Sequence, residues 1–117
     1  ILNSVLQDAA VGSPLTYVKA GPGIQVLTGA NTYTGGTIVN SGELQVSPTT
    51  PGNIVIPAGG LTINGGWGGQ NFAIVNINAS GALAASTDVT INGSGRLAYA
   101  PNTVNTLNSI TFNNSGY

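Results

Sequence analysis

A short unit recurs along the chain: a strand-like segment, Asn, a small polar residue, Gly, any residue, Leu and a second strand-like segment. Clear copies begin at residues 37, 75 and 89, a shortened copy begins at residue 110, and a looser copy at residue 54 has Pro57 in place of Asn. The copies are 14 to 21 residues apart at their turn glycines, which are Gly42, Gly60, Gly81, Gly95 and Gly116. A unit this short cannot bury its own apolar face, so it must stack on its neighbours as a solenoid.

Each copy alternates apolar and polar residues, which predicts strands with one face turned inward and one outward. The corner between the two strands contains Asn and Gly, the residues that adopt a left-handed backbone conformation at low cost. Stacked copies would place Asn above Asn, and the side-chain amides would then hydrogen-bond along the stack. The residues expected at these structural corners are Asn40, Gly42, Gly60, Asn78, Gly81, Asn92, Gly95, Asn113 and Gly116.

Small uncharged residues dominate the chain, which has 18 Gly, 14 Asn and 13 Thr, while charged residues make up 4%. Disordered chains are usually charged, whereas this chain is rich in β-branched residues and has a mean hydropathy of +0.23. Helices are disfavoured because Gly or Pro interrupts almost every part of the chain. The sequence therefore predicts an all-β fold, a right-handed parallel β-helix (β-solenoid) of about four to six short rungs.

The charged side chains are two cations, Lys19 and Arg96, and three carboxylates, Asp8, Glu43 and Asp88. The chain has no His, Cys or Met, which excludes a Ser-His-Asp triad, a disulfide and ordinary zinc, haem or iron–sulfur sites. We expect no cofactor and no metal. Two cations cannot neutralise a run of phosphates, and no apolar run approaches the ~20 residues of a membrane-spanning helix. Neither nucleic-acid binding nor direct membrane insertion is therefore expected.

A glycosidase-type pair would need two carboxylates within about 5 to 10 Å of each other. Asp88 precedes a predicted strand and Glu43 follows a corner glycine, so we interpret both as solvated turn residues. Lys19 and Arg96 are interpreted as solubilising side chains. The sequence therefore predicts no catalytic residues and a protein that is not an enzyme.

The single Trp, Trp67, lies in a loop with glycines on both sides. Three interpretations are open: the ring covers the core as a lid, contacts another subunit, or stacks on a glycan. Apolar residues near the two ends of the chain are further candidates for contacts between subunits. With Trp67, the candidate interface residues are Ile1, Leu2, Val5, Leu6 and Tyr117.

We predict different roles for the N-terminal and C-terminal parts of the chain. We expect residues 1–18 to form an N-terminal strand, a cap or a segment that joins subunits, and residues 19–117 to form rungs open at the C-terminal end. An open rung leaves backbone groups unpaired. Either the chain is part of a longer β-helix, or the first strand of one subunit completes the last rung of the next in a head-to-tail homopolymer.

Residues 19–46 resemble the passenger-associated repeat of bacterial autotransporters. The most specific part is GANTYTGGT at residues 29–37, whereas Pro22-Gly23-Ile24 stands where the family has a Gly-x-Gly-Thr-Leu turn and strand. The resemblance implies a secreted parallel β-helix displayed on the bacterial cell surface, as a stalk or an adhesin. It adds an extracellular location to the fold that the repeat predicts.

These observations together predict a non-enzymatic extracellular structural module. It would be a building block of a bacterial surface stalk or of a self-assembling head-to-tail filament, with itself or the remainder of a longer passenger chain as partner. The alternative is a fragment of an adhesin passenger that binds glycans or host and matrix surfaces.

Overall fold

The computed structural model describes residues 4–66 and 72–113 of the protein, so the predictions for Ile1, Leu2, Trp67, Gly116 and Tyr117 lie outside the described residues. The described residues form β-strands and no helix. None of them therefore forms a helix that is long and apolar enough to cross a membrane. The strands are β1 (Tyr17–Lys19), β2 (Ile24–Leu27), β3 (Thr37–Val39), β4 (Gly42–Val46), β5 (Leu61–Asn64), β6 (Ala73–Ile77), β7 (Asp88–Asn92), β8 (Arg96–Tyr99) and β9 (Ser109–Asn113).

Consecutive strands alternate between two parallel sheets. Sheet one has the order β1-β3-β5-β7-β9 and sheet two the order β2-β4-β6-β8. Paired positions in sheet one advance by 20, 24, 28 and 21 residues, from Tyr17 to Thr37, Leu61, Val89 and Ile110. Each step is one turn of a solenoid that stacks on the turn before it. The predicted fold class, an all-β parallel β-helix, is confirmed.

A third side joins the two sheets through segments that are too irregular to form a sheet. Neighbouring turns still bond there: Asn31 N donates to Ile54 O at 3.0 Å, and Ala84 N donates to Ile56 O at 2.9 Å. Ile56 also forms a parallel bridge with Leu83. Neighbouring turns are therefore hydrogen-bonded on all three sides, although the two sheets are not closed into one.

The core fills the inside of the turns because alternate residues of each strand point inward. In sheet one, Val39, Ile63 and Ile91 stack in one inward column; in sheet two, Val46 and Ile77 do the same. All five side chains are buried. Fully burying a side chain of this size contributes about 1.5–3 kcal/mol, so the stacked columns hold successive turns together.

The N-terminal segment packs on its own chain. Leu6 is partly buried against the core, its carbonyl accepts a 2.9 Å hydrogen bond from Thr32 N, and Val5 is 53% exposed. Leu6 is one of the candidate interface residues, and in this structure its side chain and its backbone carbonyl make contacts within the chain. Its contact between subunits stays a prediction.

Two exposed carboxylates fasten the two ends of the solenoid. Asp8 accepts hydrogen bonds from Leu15 N at 2.7 Å and from Thr34 Oγ1 at 2.6 Å. Asp88 accepts from Ser109 Oγ and Asn108 Nδ2, both at 2.7 Å. These donors favour the ionised form; the Leu15 amide and Thr34 lower the pKa of Asp8, and Ser109 and Asn108 lower the pKa of Asp88, below the usual 3.8.

We expect both ends to loosen in acid. A lowered folded-state pKa adds stability at pH values above 3.8, and this contribution is lost as the pH falls through the lowered values. Carbon-13 NMR titration of the two carboxyl groups, alongside urea unfolding at each pH, measures the effect. The double variant Asp8→Asn, Asp88→Asn should lose this part of the pH dependence, whereas titration of both carboxyls at 3.8 would contradict the assignment.

Candidate functional site

A column of asparagines follows the strands of sheet one where the chain turns toward sheet two. The Nδ2 group of each asparagine donates to Oδ1 of the one in the turn before: Asn64 to Asn40 at 2.9 Å, Asn92 to Asn64 at 2.6 Å, and Asn113 to Asn92 at 2.9 Å. The register of β5, β7 and β9 places these side chains in line. We call this column the asparagine ladder; it links four successive turns.

The structure places three of the predicted corner asparagines in this ladder: Asn40, Asn92 and Asn113. Asn78 lies elsewhere, because it follows β6 in sheet two and donates to Ser47 Oγ at 2.8 Å. Its place is taken by Asn64, which sequence reasoning missed. The signal was the Asn-Gly pair that ends β5, but no Leu follows it at the repeat spacing.

The predicted corner glycines also divide among different corners. Gly42 has a φ of 75° and lies at the ladder corner, whereas Gly60 (88°) precedes β5 and Gly81 (68°) lies on the third side. At the corner after β7 the left-handed residue is Gly93, with φ 59°, instead of Gly95. Gly95 is required for a different reason, since a Cβ there would lie 2.7 Å from the carbonyl oxygen of Ile63.

Lys19 was predicted as a solubilising side chain, and this is wrong. Its side chain is only 6% exposed, and Nζ donates to the carbonyl oxygens of Ala20, Gly21 and Ser41 at 2.9, 2.9 and 3.3 Å. The ammonium is therefore held by three acceptors, as a buried charge requires. Lys19 pairs with Val39 in the inward column, and its ammonium lies at the corner beside the ladder, where Ser41 O accepts its hydrogen bond.

Asn31, Tyr33 and Thr37 of the GANTYTGGT segment are buried, whereas Thr32 and Thr34 are exposed. Asn31 is buried; its Oδ1 accepts from Leu6 N and its Nδ2 donates to Val55 O, both at 2.9 Å. Tyr33 is fully buried and its hydroxyl hydrogen-bonds to Thr37 Oγ1 at 2.7 Å; burial raises the pKa of Tyr33 to about 12. Asn31 joins separate turns, the bond between Tyr33 and Thr37 lies within one turn, and none of these three side chains faces solvent as a binding group would.

The three carboxylates have separate hydrogen-bond partners. Glu43 lies on sheet two and accepts from Gln45 Nε2 at 2.6 Å, whereas Asp8 and Asp88 hold the two ends of the solenoid. In residues 4–66 and 72–113, no group of three or more His, Cys, Asp or Glu side chains is placed to hold a metal ion.

A groove of about 430 Å³ lies beside the ladder corner. It is lined by Pro22, Ser41, Gly42 and Phe72. Phe72 is 63% exposed, and the Ser41 hydroxyl donates to Gly21 O at 3.2 Å. Among the described residues, the lining offers one exposed aromatic ring and no charged side chain, so this part of the groove has little chemistry for binding a polar ligand.

Comparison with known proteins identifies the same segment. Residues 18–46 match the passenger-associated-transport-repeat family. A stretch of 79 residues, 68% of this chain, is 30% identical to a protein named "Adhesin BmaC autotransporter" from Brucella suis biovar 1 (strain 1330), of which it spans only 2%. No solved structure matches the chain. Residues 18–46 thus carry the passenger-associated repeat that the sequence resembles.

Proposed function

We propose that this chain, which carries the passenger-associated-transport repeat, is a non-catalytic structural segment of a protein displayed on the bacterial surface. The observation that supports this proposal most is the burial of three polar side chains of the repeat. Asn31, Tyr33 and Thr37 are buried and hydrogen-bonded between turns or within the fold. A segment of this kind separates and orients whatever lies on either side of it.

The stacking explains how such a segment keeps its shape outside the cell. Each turn contacts only its neighbours, so stiffness depends on the quality of each successive contact. Here the contacts are parallel strand pairs on two sides, backbone bonds on the third and the asparagine ladder at one corner. None of the buried side-chain polar atoms in the described part of the chain lacks a hydrogen-bond partner. Local opening, and with it proteolysis, is therefore costly.

Labelling of intact bacteria tests the proposal. An antibody raised against the folded chain should bind unpermeabilised cells of the source bacterium, and added protease should remove the signal. A periplasmic protein, unlabelled in the same cells, serves as the control for membrane integrity. Labelling that appears only after permeabilisation would overturn the surface location.

A second candidate function is adhesion to glycans or host surfaces, favoured by the word adhesin in the relative's name. The outer face of sheet one offers a row of threonines in register, Thr62, Thr90 and Thr111. A glycan array probed with the purified chain separates the two functions. Saturable binding that Thr90→Val weakens, with the fold intact, would favour adhesion, whereas a structural segment should show none.

A more specific version of the structural role is head-to-tail self-assembly of the chain into a filament. It would require β9 of one subunit to accept β1 of the next as the neighbouring strand of sheet one. Electron microscopy across a concentration series tests this form directly. Uniform filaments with an axial repeat of one subunit would support it, and dispersed particles at every concentration would exclude it.

A further inference from the structure

The asparagine ladder contains the two Asn-Gly pairs of the chain, Asn64-Gly65 and Asn92-Gly93. In such a pair the backbone nitrogen of the glycine can attack the side-chain amide carbon, because glycine has no Cβ to hinder the approach. A bond forms between this nitrogen and Cγ, the nitrogen gives up its proton, and Nδ2 leaves as ammonia. Water then opens the cyclic imide to aspartate or isoaspartate. Both pairs therefore carry a route to spontaneous chemical modification.

The stacking of the turns requires glycine after each of these asparagines. Gly93 has a left-handed φ of 59°, and a Cβ there would lie 2.5 Å from Gly65 O. A Cβ on Gly65 would collide with Gly95 N. The ladder in turn requires a side-chain amide, which both donates and accepts along the stack. The contacts that build this corner therefore keep a modification-prone pair in each of two turns.

Three hydrogen bonds close the pair at Asn92. The attacking nitrogen, Gly93 N, donates to Asn113 O at 3.1 Å. The side-chain amide is held at both of its polar atoms, since Nδ2 donates to Asn64 Oδ1 at 2.6 Å and Oδ1 accepts from Asn113 Nδ2 at 2.9 Å. A hydrogen bond from the N–H group also disfavours loss of its proton. The reaction therefore requires a local opening of the turns.

The pair at Asn64 is closed in the same way, and two of its three bonds come from Asn92. Gly65 N donates to Asn92 O at 3.0 Å, and Asn64 Oδ1 accepts from Asn92 Nδ2. The third bond runs from Asn64 Nδ2 to Asn40 Oδ1 at 2.9 Å. Isoaspartate formation at Asn92 would route the main chain through the side-chain carbon. It would remove both the carbonyl group and the amide donor that hold Asn64.

We propose that Asn64-Gly65 and Asn92-Gly93 are latent sites of isoaspartate formation that the asparagine ladder keeps closed, and that modification at Asn92 opens the site at Asn64. The ladder then has a second role besides joining the turns, because it protects its own asparagines. Modification proceeds from the later turn to the earlier one. Protection of this kind does not depend on where the protein is located, so it is tested separately from the proposed surface location.

Peptide mass spectrometry measures the conversion of each asparagine in the folded full chain, incubated at mildly alkaline pH well below its unfolding temperature. Reference rates come from peptides with the sequences of residues 61–66 and 89–94, which share the order Thr-Ile-Asn-Gly at the reactive pair. We expect both sites in the folded chain to react about ten-fold or more slowly than in the peptides, which corresponds to about 1.4 kcal/mol of opening free energy. Rates equal to those of the peptides would overturn the proposal.

One tryptic peptide shows whether the two sites are coupled. Trypsin cleaves after Lys19 and Arg96, so residues 20–96 stay together and carry both pairs. If modification at Asn92 opens the site at Asn64, the fraction of peptides modified at both residues should exceed the product of the two single fractions. Independent modification of the two residues would overturn the coupling.

Two variants test the individual hydrogen bonds. Asn113→Ala removes a bond that holds Asn92 and should speed the reaction at Asn92 roughly five-fold, without the same effect at Asn64. Asn92→Ala should speed the reaction at Asn64 by a similar factor. Asn78→Ala, which removes a hydrogen bond outside the ladder, is the control and should change neither rate. Unchanged rates in the first two variants, or equal acceleration of both sites by Asn113→Ala, would overturn the proposal.

Discussion

Replacing Gly42 with alanine should lower the free energy of unfolding by about 2–5 kcal/mol, because strain and a steric clash add together. Gly42 has a left-handed φ of 75°, which costs a side-chain-bearing residue about 1–2 kcal/mol. A Cβ at this position would also collide with Gly21 O, lie 2.5 Å from Gly23 O and lie 2.6 Å from Lys19 Nζ. Two of these neighbours are backbone atoms of the turn below and cannot move aside cheaply.

Gly52→Ala is the matched control for this prediction. Gly52 also has a left-handed φ, 88°, but a Cβ there meets nothing within 4 Å. Its cost should therefore be the conformational part alone, about 1–2 kcal/mol. Urea unfolding of both variants measures the difference. Equal destabilisation would mean that the turns at the ladder corner are not packed as closely as the structure shows.

The ladder corner also shows how far the sequence predicts this fold. Strand pattern, Asn and Gly recur together at Asn40 and Asn92, so stacking of these residues follows from the repeat alone. The copies that begin at residues 54 and 75 fit the same pattern but run along other corners of the solenoid. An alternating strand followed by a Gly turn looks the same at each of the three corners. Because the turns differ in length, from 20 to 28 residues, the spacing between copies does not show which corner each copy occupies.

The burial of Lys19 could not be predicted from the sequence. A lone lysine in a sequence is usually solvated, and no local pattern around it indicates burial. Its ammonium is buried because three carbonyl oxygens, from Ala20, Gly21 and the next turn's Ser41, converge on one point. That convergence depends on how two turns stack, which is a property of the tertiary structure. The direction of the hydrogen bonds in the asparagine ladder likewise cannot be predicted from the sequence, because it depends on the positions of the side-chain donors and acceptors.

Asn31→Ala should destabilise the protein by about 2–4 kcal/mol, since it leaves two backbone groups without their partners. The Asn31 side chain links the N-terminal segment to the third side and the turn above, through Leu6 N and Val55 O. The control is Asn78→Ala, which removes one exposed hydrogen bond to Ser47 Oγ and should cost less than about 1 kcal/mol. Chemical denaturation measures both; similar losses would contradict a special role for the buried amide.

Asn31→Asp separates the two hydrogen bonds by their direction, because the Asn31 side chain accepts one of them and donates the other. A carboxylate still accepts from Leu6 N, but it has no donor for Val55 O and places a charge where the amide was buried. Burial disfavours the charged form, so the pKa of the new carboxyl should be raised in the folded state. The penalty relative to the parent protein should then be largest at neutral pH and shrink as the pH falls through that raised value, because a protonated carboxyl can donate to Val55 O again. Denaturation of both proteins at matched pH isolates this change from the loosening at Asp8 and Asp88, which affects them equally. A penalty that does not change with pH would show that residue 31 is solvated, and the passenger repeat would then lose the buried polar link on which its structural interpretation depends.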